Sequence, residues 1–260
     1  MNEVIQLLHS RKSVRAYEDR PIEEAVKQEI LRATFRAPTA GNLMLYSIIE
    51  VNEQAAKDTL ARTCDNQPFI ARAPLVLLFL ADYQRWYDYF LLSGVGSWCQ
   101  RQGQPLQKPQ EGDLFLACCD ALIAAHTAVI AAESLGLGSC YIGDILENDE
   151  AHRQLFDLPP YAFPICLLCF GYPTQQQKDR PLVPRFGQEF IVFRDRYKRL
   201  NEAEFVEMYA DMQERFLRGG DKPAGIENVG QAVYARKFNA EFSHEMRRSV
   251  RAMLRRWMEG

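Results

Sequence analysis

The chain has 260 residues, 47% hydrophobic and 25% charged, the make-up of a soluble globular protein long enough for one large domain or two small ones. A net charge of −3 argues against a dedicated nucleic-acid binder but leaves room for local basic pockets. No apolar stretch follows the first Met as a secretory signal would, so a cytoplasmic location is expected, and the seven cysteines, mostly inside apolar runs, read as reduced core thiols.

Residues 2–9 suit one short helix, ending before the run Arg11-Lys12-Ser13-Val14-Arg15. Three cations and a hydroxyl in five residues suit phosphate, because guanidinium forks match phosphate oxygens, although such a run is also common on a plain solvated surface. A polar turn at 17–20 leads to Pro21, which the pattern places in the first turn of a helix reaching about residue 36. Pro38-Thr39-Ala40-Gly41-Asn42 is a loop, residues 47–51 read as strand and 54–62 as helix. The unbroken apolar run 75–80, following a proline, is the mark of a strand covered on both faces. Residues 83–112, first aromatic and then rich in Gly, Gln and Pro, are expected to form one helix and a long mobile loop.

From Leu114 to Leu135 the chain is apolar almost all round, interrupted only by Asp120, His126, Thr127, Glu133 and Ser134. A helix of this kind must be buried on every face. At about 1.5 Å per residue it runs roughly 30 Å. A membrane span is not expected, because Asp120 and His126 sit mid-run and charge in hydrocarbon is costly. Gly136 and Gly138 end the helix, and Cys140-Tyr141-Ile142 form a short strand stopping at Gly143, where a ligand can approach the backbone closely.

A helix at 147–156, a buried strand at 164–171, a polar loop at 172–188 and a mainly helical tail rich in Arg and Glu, from about 201 to 257, complete the pattern. Cys166 and Cys169 make a C-x-x-C, but three residues apart on a strand they point to opposite faces and make a poor metal or redox pair. The four histidines lack ligand spacing, and there is no Gly-x-Ser-x-Gly elbow, P-loop or Gly-x-Gly-x-x-Gly turn. The layout is α+β: a small mixed central sheet flanked by helices over residues 1–200, with a helical C-terminal extension, 201–260, packed on the same domain.

Residues 131–144, AAESLGLGSCYIGD, resemble the stretch that leads to the flavin in the nitroreductase family of FMN-dependent oxidoreductases. Three other segments fit the same family, and the tail resembles that of its larger, NADPH-preferring bacterial subgroup. The run at 11–15 resembles the family's R-[RH]-S-x-R. That resemblance implies Arg11 and Ser13 at the FMN phosphate or ribityl chain, Lys12 among the cofactor-binding residues, and Arg15 near the N1–C2=O edge. A fixed cation there stabilises the charge of reduced flavin. Residues 37–42 resemble the A-P-S-x-x-N loop lining one side of FMN. This implies contacts from Pro38, Thr39, Ala40 and Asn42, with Met44 standing where relatives often have Gln. Gln67 matches a polar flavin contact of the larger subgroup. Tyr141, Ile142, Gly143 and Asp144 correspond to the backbone near flavin N5 and O4, Asp144 replacing a Gly or Glu. Gly171-Tyr172-Pro173 resembles the family's G-x-P, which is followed by bases that close on the phosphate. Arg180 is the choice here, with Arg185 substituting for a second base because Leu182 interrupts the usual K-x-R.

The resemblance implies an FMN enzyme using NADPH, or NADH, as transient co-substrate. Nicotinamide and a small-molecule electron acceptor (a nitroaromatic, quinone or free flavin) would occupy one site in turn. It also implies a homodimer with its site between subunits. Other branches of the fold, a reductive dehalogenase, an enone reductase or an enzyme that consumes its flavin, stay open, as does a non-catalytic FMN-sensing module. In the basic tail, Arg236 or Lys237 is expected at the 2′-phosphate of NADPH, the plainer alternative being a solvated basic helix face.

Overall fold

Apolar runs covered on both faces take the centre of the sheet, and shorter ones its edges. In the computed structural model, which describes residues 2–219 and 224–260, four strands form one sheet: β1 (Tyr46–Glu50), β2 (Leu75–Asp82), β3 (Gly138–Ile142) and β4 (Ala162–Gly171), in the order β1-β2-β4-β3. β2 is buried along its whole length, as its unbroken apolar run requires. Every ladder is antiparallel, with Tyr46 opposite Ala81, Leu75 opposite Phe170 and Gly138 opposite Gly171. Among the described residues the parallel component of the sheet is confined to one bridge, Ser13 to Ser139. Cys166 and Cys169 of β4 enter the cores on opposite faces, and all seven cysteines are free.

The helices are α1 (Glu3–Ser10), α2 (Glu24–Thr34), α3 (Gln54–Thr63), α4 (Phe69–Arg72), α5 (Gln84–Leu92), α6 (Val95–Arg101), α7 (Glu111–Ser134), α8 (Asp149–Leu155), α9 (Gln175–Asp179), α10 (Glu202–Arg218), α11 (Val229–Val233) and α12 (Glu241–Glu259). Pro21 lies outside α2, contrary to expectation. Glu23 stays extended, and its carbonyl takes the first helical N–H groups, from Val26 and Lys27. The 83–112 region holds two helices instead of one, split at Gly94, whose φ of 72° only glycine adopts without strain. The expected polar loop after β4 contains the short α9.

α7 begins in a capping box between Gln110 and Asp113 and packs on α2, β2 and β4 through a small-residue face that includes Ala117, Ala121, Ala124, Ala128 and Ala132. Alanines let the sheet and helix backbones approach closely. Burial on every face does not hold in the single chain: Phe115 is 72% exposed, and Leu116, Cys119, Leu122 and Ile123 are exposed as well. Among the described residues α7 is also the one helix long and apolar enough to cross a membrane by length and composition.

Contacts divide the chain into two compact units, 1–180 with 245–260, and 181–244, instead of at residue 200. Residues 245–260 belong to the first unit for specific reasons. Trp257 is buried, donates through Nε1 to the Gln110 carbonyl (3.1 Å) and meets Tyr161 edge-on. Arg256 pairs with the buried carboxylate of Asp149, whose backbone N–H donates to Ser249 Oγ at 3.0 Å. In the second unit, Asn201 and Glu204 cap α10 reciprocally, Gln213 of α10 accepts from the Val229 N–H at the start of α11, and Phe186 meets Tyr209 edge-on.

Candidate functional site

The segment after α1 lies along the corner where β3 begins and β4 ends. Ser13 bridges Ser139, the Val14 N–H donates to the Ser139 carbonyl at 2.8 Å, Tyr17 bridges Pro173, and the Glu18 N–H donates to Tyr172 O at 2.8 Å. Two glycines make the close approach possible. A Cβ at Gly138 would fall 2.5 Å from Val14, and one at Gly171 2.6 Å from the Tyr17 ring. The backbone thus fixes where the basic residues stand.

At this corner the positive charges of Arg15, Arg11 and Arg180 all act on the Cys140 thiol. Burial pushes that thiol up, and the three guanidiniums oppose the shift. Arg180 donates to the Ser13 carbonyl, and the Arg15 N–H to Gln177 Oε1. Lys12 points its ammonium at the carbonyls of Lys178 (2.7 Å) and Arg180, so it fastens the strap that carries Arg180. Arg11 lies 3.6 Å from Glu133. Burial raises the Glu133 carboxyl, while the Ser139 hydroxyl (2.7 Å) and Arg11 hold it down. Of the three guanidiniums, only Arg11 has a carboxylate, Glu133, beside it.

The 38–45 loop is shaped by one residue not singled out from sequence for any site role. Asp120, 2% exposed in the middle of α7, accepts from the backbone N–H of Ala40 at 2.9 Å and of Leu45 at 3.0 Å. Between these anchors Gly41, Asn42 and Met44 all take left-handed conformations, with φ between 51° and 58°. Asparagine tolerates that region, but a Met there has to be held by its surroundings. Thr39 Oγ1 accepts from the Met44 N–H at 3.4 Å, a long contact. The signal was present in the sequence as a lone carboxylate in an apolar helix, but its partner, a backbone 80 residues away, was not. Behind the loop, Phe35, Met44, Tyr46, Trp86 and Tyr89 line a cleft of about 660 Å³.

After β3, Gly143–Leu146 forms a tight turn. A Cβ on exposed Gly143 would meet nothing within 4 Å, so its backbone faces open space. Gln67 Nε2 donates to Asp144 Oδ2 at 2.7 Å and to the Cys64 carbonyl at 3.0 Å, joining two of the expected site residues. His152, fully buried and held below its ordinary range by that burial, presents Nδ1 to the Ile145 carbonyl at 3.0 Å. A neutral ring facing a carbonyl carries its proton on Nδ1. Tyr141 turns its hydroxyl towards His126 Nδ1 at 3.4 Å, so its side chain looks across to α7.

These parts do not meet in one chain. The basic corner adjoins the start of β3, and Tyr46 follows the 38–45 loop at the start of β1, the opposite edge and the opposite end of the sheet. Three strand spacings put the edges about 14 Å apart, and the eight residues of β2 span roughly 26 Å. The remaining candidates lie in the second unit. Arg185 donates to the Val183 carbonyl at 3.2 Å and lines a cleft with Phe186, Phe190, Met208 and Met212. Arg236 and Lys237 are exposed in the π-helical turn Tyr234–Phe238, with the Lys237 ammonium 5.4 Å from the centre of the Phe242 ring.

A four-stranded antiparallel sheet backed by a long alanine-faced helix, with arginines clustered at one corner, defines an α+β protein. The chain belongs to the nitroreductase family, whose sequence profile matches residues 8–172. It is 29% identical to the FMN reductase [NAD(P)H] of Bacillus subtilis over 236 residues, 90% of either chain. It is also 29% identical to the oxygen-insensitive NADPH nitroreductase of Salmonella typhimurium over 221 residues, 85% of either chain. The solved structure of Bacillus megaterium NfrA2 matches 99% of this chain and 98% of its own with a TM-score of 0.81 at 29% identity.

Proposed function

We propose that the protein is an FMN-dependent oxidoreductase that takes reducing equivalents from NAD(P)H, with NADPH preferred, and passes them to a nitroaromatic, quinone or flavin. The arginine corner carries this reading, because it is a built anion seat with charge in excess of its one paired carboxylate. The names of the relatives, an FMN reductase and an NADPH nitroreductase, support the cofactor and the reaction class.

The residues suit FMN. Arg11 and Arg180 would hold the phosphate by charge-assisted contacts, Arg15 would lie beside the ring, and the open backbone at Gly143 leaves room for a planar group. Bound FMN supplies the two-electron relay between nicotinamide and acceptor. The chain itself orients and encloses. Gln67 and His152 hold the Gly143–Leu146 turn, and Asp120 holds the 38–45 loop in its left-handed conformation.

The site we propose is completed in a homodimer. The exposed apolar residues of α7 give a second chain a surface to cover, and pairing would bring the loop of one chain to the arginine corner of the other. Purified protein should be yellow, release FMN and not FAD on denaturation, and bleach within seconds under anaerobic NADPH. FAD in the supernatant, or a colourless protein that does not take up FMN, would refute the cofactor. Bound FMN that NADPH leaves oxidised would make the protein a flavin-binding module instead of an enzyme.

A further inference from the structure

Glu147 closes the Gly143–Leu146 turn, and its surroundings are unusual for a carboxyl group. It is 5% exposed, and its Oε1 has no hydrogen-bond partner. Its own N–H donates to the Asp144 carbonyl at 3.0 Å, and its carboxyl abuts that of Asp144. The charges that face it are Asp144 from the turn, Asp65 from the bend after α3, and Glu245 from α12. The Cys64 thiol also adjoins it. His152 of α8 is neutral and already directed at the Ile145 carbonyl. Arg248 is taken up by Glu245 and Glu150, and Arg153 and Arg256 by Asp149. Asp144, Asp65 and Glu245, the charges acting on Glu147, are each negative, so a proton is the available neutraliser.

We propose that Glu147 is a positioning residue: a proton it shares with Asp144 locks the Gly143–Leu146 turn in the geometry that meets the cofactor. The assignment rests on the FMN reading above. Neutral Glu147 would donate to the Asp144 carboxylate, whose Oδ2 already accepts from Gln67 Nε2, and so fix the turn at its first polar residue. Removing the proton leaves two adjacent anions under the Gly143 backbone and opens the turn.

Burial and the neighbouring carboxylates lift Glu147 from about 4.5 to about 8. The folded chain therefore keeps a proton that the unfolded chain loses. Stability from this group is full below pH 4.5, declines as pH rises through the window to 8, and is flat beyond it.

The test compares wild type with Glu147→Gln, which keeps the size and the donor but cannot ionise, and with Glu147→Ala. FMN dissociation constants from pH 6.5 to 9.5, followed by flavin fluorescence, should weaken about tenfold in wild type, stay flat in Glu147→Gln and be weak throughout in Glu147→Ala; tenfold corresponds to 1.4 kcal/mol. The melting temperature of FMN-free protein should fall between pH 5 and 8.5 more steeply in wild type than in Glu147→Gln. Parallel melting curves, or a Glu147→Gln variant with the wild-type pH dependence of FMN binding, would overturn the assignment. Wild type that binds no FMN at any pH would refute the FMN reading, and this role for Glu147 with it. The melting curves would still show whether the carboxyl keeps its proton.

Discussion

The two corners of the sheet use charge in opposite ways. At the 38–45 loop a single buried carboxylate, Asp120, is matched by two backbone N–H groups. At the β3 corner three guanidiniums act on one thiol, with one carboxylate beside Arg11, so positive charge is left over. The first arrangement is structural, since a buried charge with its hydrogen bonds satisfied has nothing left to offer a ligand. The second leaves positive charge available, which is why the proposed anion seat is placed there. Function is therefore to be sought at the arginines, and loop shape at the aspartate.

The largest effect should come from keeping the corners apart. Phe115→Glu with Leu122→Glu changes two residues already exposed in the single chain, so the fold should survive. The expected outcome is a monomer by light scattering at micromolar concentration that has lost FMN and turnover. A monomer that keeps FMN and full activity would show that one corner suffices. Asp120→Ala comes next. It strands the N–H groups of Ala40 and Leu45, and a buried donor left without its partner costs about 1–3 kcal/mol. Urea unfolding reads this directly, and a loss below about 1 kcal/mol would mean that water replaces the carboxylate.

Sequence legibility follows the same division. The basic run of the arginine corner stood out because Arg11, Lys12 and Arg15 fall within one short stretch, although its role as a seat stays a proposal. The role of Asp120 did not, because its partners Ala40 and Leu45 are distant backbone atoms with no sequence signature. α7 reads as uniformly apolar, yet mainly its small residues, with Leu114 and Val129, face the sheet, while Phe115, Leu122 and Ile123 face outwards. The basic tail follows a related route. Within its solvated helix face, Arg248 and Arg256 also fasten α12 to Glu150 and Asp149. Pairing across 98 and 107 positions is invisible to periodicity.

Within the basic corner the arginines should separate by role. Arg11→Ala is expected to weaken FMN retention by roughly 10- to 150-fold, the equivalent of about 1.5–3 kcal/mol for a contact to a charged group. It should leave the potential of the bound flavin nearly unchanged. Arg15→Ala should lower that potential and slow reduction by NADPH at saturating FMN. Equal potentials in wild type and FMN-replete Arg15→Ala would move Arg15 away from the ring, and unchanged FMN affinity in Arg11→Ala would move the phosphate to Arg180.

The smallest expected effect concerns cations that neither corner uses. Arg236 and Lys237 stand exposed in the π-helical turn of the second unit, and the Lys237 ammonium lies over the Phe242 ring at 5.4 Å. An exposed contact to a cofactor phosphate is worth less than a buried one and is screened by salt, with a Debye length of about 10 Å at 0.1 M. The 2′-phosphate is the group that separates NADPH from NADH, and a guanidinium fork suits it. If these residues meet it, kcat/KM should favour NADPH in wild type. Arg236→Ala with Lys237→Ala should then erase the preference through NADPH alone, and moderate salt should shrink the difference between the two proteins. The arginine corner is common to both nicotinamides, so its variants should slow both alike. A double variant that slows NADH and NADPH equally, or a wild type that uses them equally, would make the π-helical turn ordinary surface and leave cofactor choice to residues of the first unit.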